Sequence, residues 1–401
     1  MTAPGRRPFE GVRVLDFTQV FAGPFASYQL AMFGADVVKI EKPGGEDLRF
    51  SPPSPEWAAR GMAPMWMCVN ANKRNLALDL KRPEAIAAIM RLAETADVVM
   101  ENFRPGVMAR LGLGYDDFRK VNPNIIYCAV SGFGHTGPER ETAAYDGKIQ
   151  AMSGVMSLTG HPEMGPTRAG FAVCDAIGGM TAAFAVASAL YQRKEMGQGQ
   201  YVDVAMLDAA LTFLSPAVVE YTVAGHKQRQ MGNMAVSRRP TANLFRVKDG
   251  YLLLAVNNDR QYDALLKTLG LERLKEDPRF GTWEDRIANE ADLRAELEAA
   301  LASDDAQGWE ARLSAGGAPC ASIWTIDEIV THPQLASRDV LQTVDSRFGP
   351  LAMVGPGFRL AHGGGRIDRP PPDPGEHNAE ILAEAGFSPA EIAALTAPTA
   401  G

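Results

Sequence analysis

The stretch that decides the fold is GVRVLDFTQVFAGPFASYQLAMFGADVVKIEKP, residues 11–43. Its first part, VRVLDFT, is rich in β-branched and apolar residues and reads as a strand. A helix follows over PFASYQLAMFG, begun by Pro24, whose ring fixes a helical φ where no amide hydrogen is needed. ADVVKIEKP then makes a second apolar strand, ended by Pro43. The alternation continues through helix PEAIAAIMRLAETA, strand DVVMEN, a helix near YDDFRKV and strand NIIYCAVSG. This order predicts an α/β fold with a parallel sheet, because parallel neighbours need a crossover and a helix supplies it. Ligands in such sheets gather at the carboxyl ends of strands, here near Thr18–Ala22, Glu41–Pro43, Asn102–Arg104 and Ser131–Gly134. The segment FTQVFAGPFASYQ has only Gly23 where G-x-G-x-x-G would stand, which argues against a nicotinamide or flavin dehydrogenase.

Composition narrows the partners. An excess of 48 acidic over 40 basic residues argues against nucleic acid or an anionic membrane and for a small molecule. Cys68, Cys128, Cys174 and Cys320 form no C-x-x-C pair, and MTAPGRRPFEGVRVLDF carries no apolar signal segment; a reducing cytoplasm is expected. The apolar run Ala176–Tyr191 is short for a membrane span and full of Gly and Ala, so it reads as a buried core helix.

Beyond the polar linker AGHKQRQMGNMAVSRRPTAN the pattern changes. LFRVKDGYLLLAVNN predicts an antiparallel hairpin turning at Lys248-Asp249-Gly250, and residues 258–315 read as charged amphipathic helices of a second domain. The tail holds a strand-like GPLAMVGPGFRL and a proline-rich RIDRPPPDPGEHNAEIL, expected to run as an extended strap.

The common catalytic signatures are missing: no H-E-x-x-H, no G-x-S-x-G elbow and no G-x-x-x-x-G-K-[ST] loop, and the six histidines are dispersed. Asp175, in FAVCDAIGGM, sits where a helix N-cap belongs, because Ile177, Met180, Phe184, Ala187 and Tyr191 follow at helical spacing. Gly178 and Gly179 each cost a helix about 0.5–1 kcal/mol relative to Ala. Read alone, Asp175 is either a cap or a reactive carboxylate beside a backbone that something approaches closely.

One resemblance covers the chain from Gly11 to Leu382. The segments GVRVLDFTQVFAGPFASYQLAMFGADVVKIEKPGGEDLR, NANKRNLALDLKRPE, ADVVMENFRPGVMARLGLGYDDF, SGFGHTGP, AYDGKIQAMSGVMSLTG and GEHNAEIL resemble, in the same order, the class III coenzyme A transferases, the formyl-CoA transferase and carnitine CoA-transferase (CaiB/BaiF-like) family. The resemblance implies that Asp175 is the nucleophile, forming first an acyl anhydride and then an aspartyl-CoA thioester as CoA passes from an acyl-CoA to a free carboxylic acid. Backbone amides at the start of its helix would meet the oxyanions, and Gly178 and Gly179 would let the acyl group come near them. CoA or acyl-CoA is the co-substrate, with no metal or tightly bound cofactor. Its contacts, carried over residue by residue, are Val20, Ala22, Lys42, Leu78, Lys81, Asn102, Phe103, Arg110, Leu111, Tyr145 and Met206.

The family architecture implies a large Rossmann-like domain from residues 1–222, joined by a returning segment 331–401. A linker and small α+β domain, residues 223–330, are inserted between them, and the protein is expected to be an interlinked homodimer. Two departures bear on the substrate. The glycine run that formyl-CoA transferases close over the aspartate is missing from MAVSRRPTANLFRVKDG, and Ala143 stands where that subgroup often has lysine. Arg238 and Arg239 are either solvated charges of the linker or two cations that would clamp the free carboxylate of a dicarboxylic acid. The alternative is an α-methylacyl-CoA racemase, which resembles the same family. Racemases take their base from a histidine in a GHD-like motif, whereas AAYDGKIQ puts Tyr145 there, and a phenol is a poor base near neutral pH.

Overall fold

In the computed structural model, which describes residues 5–397, six strands form one sheet. They are β1 (Arg13–Asp16), β2 (Asp36–Glu41), β3 (Arg74–Ala77), β4 (Val98–Glu101), β5 (Ile126–Ser131) and β6 (Tyr201–Ala205), in the order β3-β2-β1-β4-β5-β6. Every pairing is parallel. Successive side chains of a strand point to opposite faces, and this parity sorts the core. Val14 lies opposite Val37 and Val98 on one face, and Leu15 opposite Val38 and Val99 on the other. Helices α1 (Ala22–Met32), α3 (Asp146–Met152), α4 (Val173–Met196) and α5 (Met206–Phe213) pack over the first face, and α2 (Pro83–Ala93) over the second.

Strand β3 was not expected from the sequence, because Asn72, Lys73, Arg74 and Asn75 are polar. All but Asn72 are nonetheless buried, and each of the three finds partners. Arg74 forks onto Asp36 and also meets Glu380 and Glu384, while Lys73 pairs with Asp16 at 3.0 Å. The proline-rich tail covers this edge: the N–H of Asp368 and of Arg369 donate to Asn72 Oδ1, and the N–H of Gly375 to Asn75 Oδ1. An exposed sheet edge invites pairing with another chain, so a strap here removes that hazard.

The chain divides into two compact units. One comprises the residues up to Val155, Ala169–His226 and those from Pro333 onward; the other comprises Met156–Arg168 and Lys227–His332. Residues 156–168 thus cluster with the second unit and not with the 1–222 segment assigned from sequence. The outer ends of the 1–222 and 331–401 segments, residues 1–4 and 398–401, lie outside the described residues. In the second unit β7 (Leu244–Val247), β8 (Gly250–Leu254) and β9 (Cys320–Ser322) pair antiparallel, with the expected hairpin joining the first two. Leu265, Leu266, Leu293, Leu297 and Leu313, from its amphipathic helices, fill a core with Phe245 and Leu252. In the first unit the tail adds an antiparallel hairpin, β10 (Leu341–Ser346) with β11 (Gly349–Val354).

Helix α4 corrects the sequence reading. It runs for 24 residues, which together with its apolar composition is enough to cross a membrane. Its buried face carries Cys174, Gly178, Gly179, Ala182, Ala183, Val186 and Ala189. The larger Met180, Phe184 and Tyr191, whose spacing marked the helix in the sequence, are exposed. The two glycines on this face stand where neighbouring helices come close, Gly179 against α1 and Gly178 against α5.

Candidate active site

The strand order reverses between β1 and β4, where the loops leaving the two strands diverge. A cavity of about 200 Å³ opens there. Its walls are Gln19–Ala22 after β1, Asn102–Pro105 after β4 and Val130–Phe133 at the end of β5, with Arg140, Thr142–Tyr145, Asp175 and Met206. Three of the four strand ends expected to gather ligands meet here. The fourth, Glu41–Pro43, follows β2, one strand away from the reversal.

Asp175 is not the N-cap of its helix. Helix α4 begins at Val173 with Ala172 at the cap position, where there is no side-chain cap bond. The capping role falls to a residue from another helix. Asp146, buried at the start of α3, accepts the N–H of Cys174 at 2.9 Å and of Asp175 at 3.4 Å through Oδ1. Its Oδ2 accepts from Gln150 Nε2 at 2.6 Å, and Gln150 Oε1 takes the N–H of Ala169 just upstream of α4. One turn of α3 therefore holds the first turn of α4 and releases the Asp175 carboxylate toward the cavity. Burial, aided by the nearby Asp146 charge, pushes Asp175 from an ordinary 3.8 up to about 7. Because Asp146 takes these two amides, they are not the oxyanion donors expected from sequence.

The glycines also have a different role from the one expected. A Cβ on Gly178 would lie 3.0 Å from Met206 Cγ, and one on Gly179 would lie 2.5 Å from the carbonyl oxygen of Ala22. Both glycines let packed elements approach, and the elements they admit carry Met206 and Ala22, two walls of the cavity.

Of the residues assigned to CoA, Val20, Ala22, Asn102, Phe103, Tyr145 and Met206 line the same cavity as Asp175. Tyr145, at the N-cap of α3, is 75% exposed. Asn102 uses its side chain on the neighbouring loop: Oδ1 accepts the N–H of Gln19 and Nδ2 donates to the Gln19 carbonyl, both at 2.7 Å. Among the described cavity residues Lys42, Leu78, Lys81, Arg110 and Leu111 are missing. Lys42 is exposed and paired with Asp47 at 2.5 Å, and Lys81 and Arg110 are exposed. Leu78 is buried in the core under α2, and Leu111 packs against that core. Arg239 lies in the second unit with its guanidinium 4.4 Å from the centre of the Trp283 ring, and Arg238, in the same unit, is exposed.

Sequence reasoning missed Asp146 and Arg140, while Gln19, Phe21, Arg104 and Phe133 fall within the strand-end segments it named without being singled out. Asp146 lies in the quoted AYDGKIQ motif, but nothing in the motif reveals its burial or its bond to a helix 27 residues away. Arg104 and Arg140 are exposed cations on the cavity wall. Behind the wall, Glu101 is buried at the end of β4 and accepts the N–H of Phe103 at 2.8 Å. Burial chiefly raises its carboxyl to about 8, and His135 Nε2 lies 3.8 Å away.

Comparison with known proteins bears on this geometry. The family model for CoA-transferase family III matches residues 9–378. The chain is 36% identical over 396 residues to the succinate–glutarate CoA-transferase of Agrobacterium fabrum, covering 95% of this chain and 96% of that protein. It is 38% identical over 341 residues to the acetyl-CoA:oxalate CoA-transferase of Acetobacter aceti, covering 84% of this chain and 86% of that one. Among solved structures, a CaiB/BaiF family protein from Brucella suis superposes with a TM-score of 0.86 at 34% identity, over 95% of this chain and all of that one.

Proposed function

The chain belongs to CoA-transferase family III, and from that premise we propose that it carries CoA from an acyl-CoA thioester to a free carboxylic acid through covalent intermediates on Asp175. CoA-transferases use CoA thioesters as co-substrates. The observation that most supports the role of Asp175 is its place on the cavity at the strand reversal, where burial and Asp146 disfavour its charge. A carboxylate made costly by desolvation is a stronger nucleophile than one in water.

In this reading an oxygen of the Asp175 carboxylate attacks the thioester carbonyl, the C–S bond breaks, and CoA leaves as thiolate from a mixed anhydride. The thiolate then attacks the Asp175 carbonyl carbon, the anhydride C–O bond breaks, and the donor acid departs as carboxylate. The acceptor carboxylate attacks the resulting aspartyl-CoA thioester and expels the thiolate. Attack of that thiolate on the acceptor carbonyl of the new anhydride restores the Asp175 carboxylate. Neither electrons nor protons are consumed overall. With the amides of Cys174 and Asp175 committed to Asp146, the start of α1 supplies the oxyanion donors: Ala22 lines the cavity, and its N-cap, Phe21, makes no side-chain cap bond.

A dicarboxylic acid fits as the acceptor. The relatives from Agrobacterium fabrum and Acetobacter aceti are named for succinate, glutarate and oxalate, and Arg104 and Arg140 offer cations on the cavity wall for a second carboxylate. Lys42, Lys81 and Arg110 remain assigned to the CoA phosphates as surface cations, while Arg238 and Arg239 are the weaker candidates for the acid. A homodimer belongs to the same proposal, supported by the exposed Phe184, Tyr191, Phe213, Tyr221 and Val223, large apolar side chains that a partner would cover; a cytoplasmic location is proposed with it from the sequence alone. Racemisation is not favoured, because Tyr145 stands where it needs a histidine. The test is intact-mass spectrometry after incubation with succinyl-CoA: a CoA-sized adduct that hydroxylamine removes is expected on the wild type and not on Asp175→Ala. An adduct of equal yield on the variant would place the nucleophile elsewhere.

A further inference from the structure

Val20 holds a φ of +65°, in the left-handed region that a β-branched side chain avoids. Neighbouring contacts hold it there. Asn102 grips the peptide groups of Gln19 on one side, and on the other the N–H of Val20 donates to Glu46 Oε2 at 2.9 Å. Glu46 is itself 4% exposed and fixed from three directions. Its Oε1 accepts from Trp66 Nε1 at 2.9 Å and pairs with Lys39 Nζ at 2.8 Å, and its N–H donates to Glu41 Oε1. Lys39 Nζ also donates to the Thr18 carbonyl at 2.7 Å, so one buried ion pair holds both Thr18 and Val20. The charges behind it are matched: Lys73 with Asp16, and Arg49 with Glu41.

None of Glu46, Lys39 and Trp66 lines the cavity, whereas Gln19, Val20, Phe21 and Ala22 all do. We propose that Glu46 is a positioning residue for the acyl-CoA thioester: by accepting the Val20 N–H it holds Gln19–Ala22 in the strained turn that forms the cavity wall and leads into α1. This rests on the function proposed above. Without Glu46 the valine leaves the left-handed region, the fraction of molecules with a formed wall falls, and apparent affinity falls with it. Glu46→Gln is the informative change because it keeps the shape of the side chain. A carboxamide has one acceptor oxygen; turned toward Trp66 and Lys39 it sets an amino group against the Val20 N–H, and turned toward Val20 it abandons the other two.

The experiment measures KM and kcat for succinyl-CoA, and the dissociation constant of free CoA by calorimetry, in wild type, Glu46→Gln, Val20→Gly and the double variant. Thermal melts report the folded fraction. Glu46→Gln is expected to raise KM and the CoA dissociation constant together by about tenfold, with kcat within about twofold. In the Val20→Gly background, where the turn costs nothing, the same change is expected to have an effect below about threefold. Unchanged KM and CoA affinity, with a maximal rate lowered only in step with the folded fraction, would overturn the proposal. So would an equal tenfold effect in the valine and glycine backgrounds. A wild type that neither binds CoA nor transfers it would instead defeat the functional reading on which this inference rests.

Discussion

Replacing the proposed nucleophile by its neutral isostere, Asp175→Asn, is expected to stabilise the fold, and to do so in a particular pH window. The Asp175 carboxyl is raised from 3.8 to about 7, first by burial and then by the Asp146 charge. A group whose folded pKa lies above its unfolded value contributes stability that is complete below the unfolded pKa and is lost as pH climbs through the folded one. Wild type therefore loses stability from this residue between pH 4 and 8, and the Asn variant does not. A rise from 3.8 to about 7 corresponds to about 4 kcal/mol at most. Because the side chain is partly open to the cavity, solvent screening brings this to about 2 kcal/mol. Roughly half of the effect falls between pH 5 and 8, so the Tm of the variant should gain about 1–3 °C on wild type across that interval. Calorimetric melts of both ligand-free proteins at pH 5, 6, 7 and 8 test it. All other titrations occur in both proteins and cancel in the difference. A Tm difference that is flat over this range, or that shrinks as pH rises, would show that Asp175 is not held as a desolvated carboxyl.

The same carboxyl sets the pH dependence of turnover: kcat/KM for succinyl-CoA should climb about tenfold per pH unit below 6 and level off above the folded pKa of about 7. Asp146→Asn removes the neighbouring charge and should move that acid limb to lower pH, with burial keeping it above the range of a free carboxylate; a limb that stays in place would deny Asp146 an electrostatic role. Gly179→Ala drives a methyl toward the Ala22 carbonyl and the Phe25 ring. It should cost about 1–3 kcal/mol in urea unfolding and raise KM, since Ala22 is part of the wall; wild-type stability would mean that α1 and α4 can separate freely. In deuterated water with a 2-methylacyl-CoA and no acceptor acid, mass spectrometry should find no label at the α-carbon, and rapid labelling that needs Asp175 would restore the racemase reading.

How much of this was legible in the residues depends on the range of the interaction. The parallel sheet followed from local alternation: VRVLDFT, PFASYQLAMFG and ADVVKIEKP each carry their own strand or helix signal, and β1 and β2 form where they were read, while α1 starts at Ala22, two residues before the expected Pro24. Strand β3 was not legible, because its polar Arg74 and Asn75, and Lys73 just before it, can be buried only once Asp16, Asp36, Glu41 and Glu384 arrive from elsewhere in the chain. Asp175 could be singled out by residue type and motif, yet its place in the helix could not. A carboxylate followed by an apolar helical run looks like a cap until Asp146 is seen to occupy that role from α3. Likewise the pair Gly178 and Gly179 announced a close approach without saying to what, and only packing identified Met206 and Ala22. By itself the sequence determined the α/β alternation and the family, both of which reside in local pattern and ordered motifs, and it singled out Asp175 as the candidate nucleophile. The tertiary structure decided which amides are free, which charges are buried and how Val20 is held in its strained turn, because these depend on contacts between residues far apart in the chain.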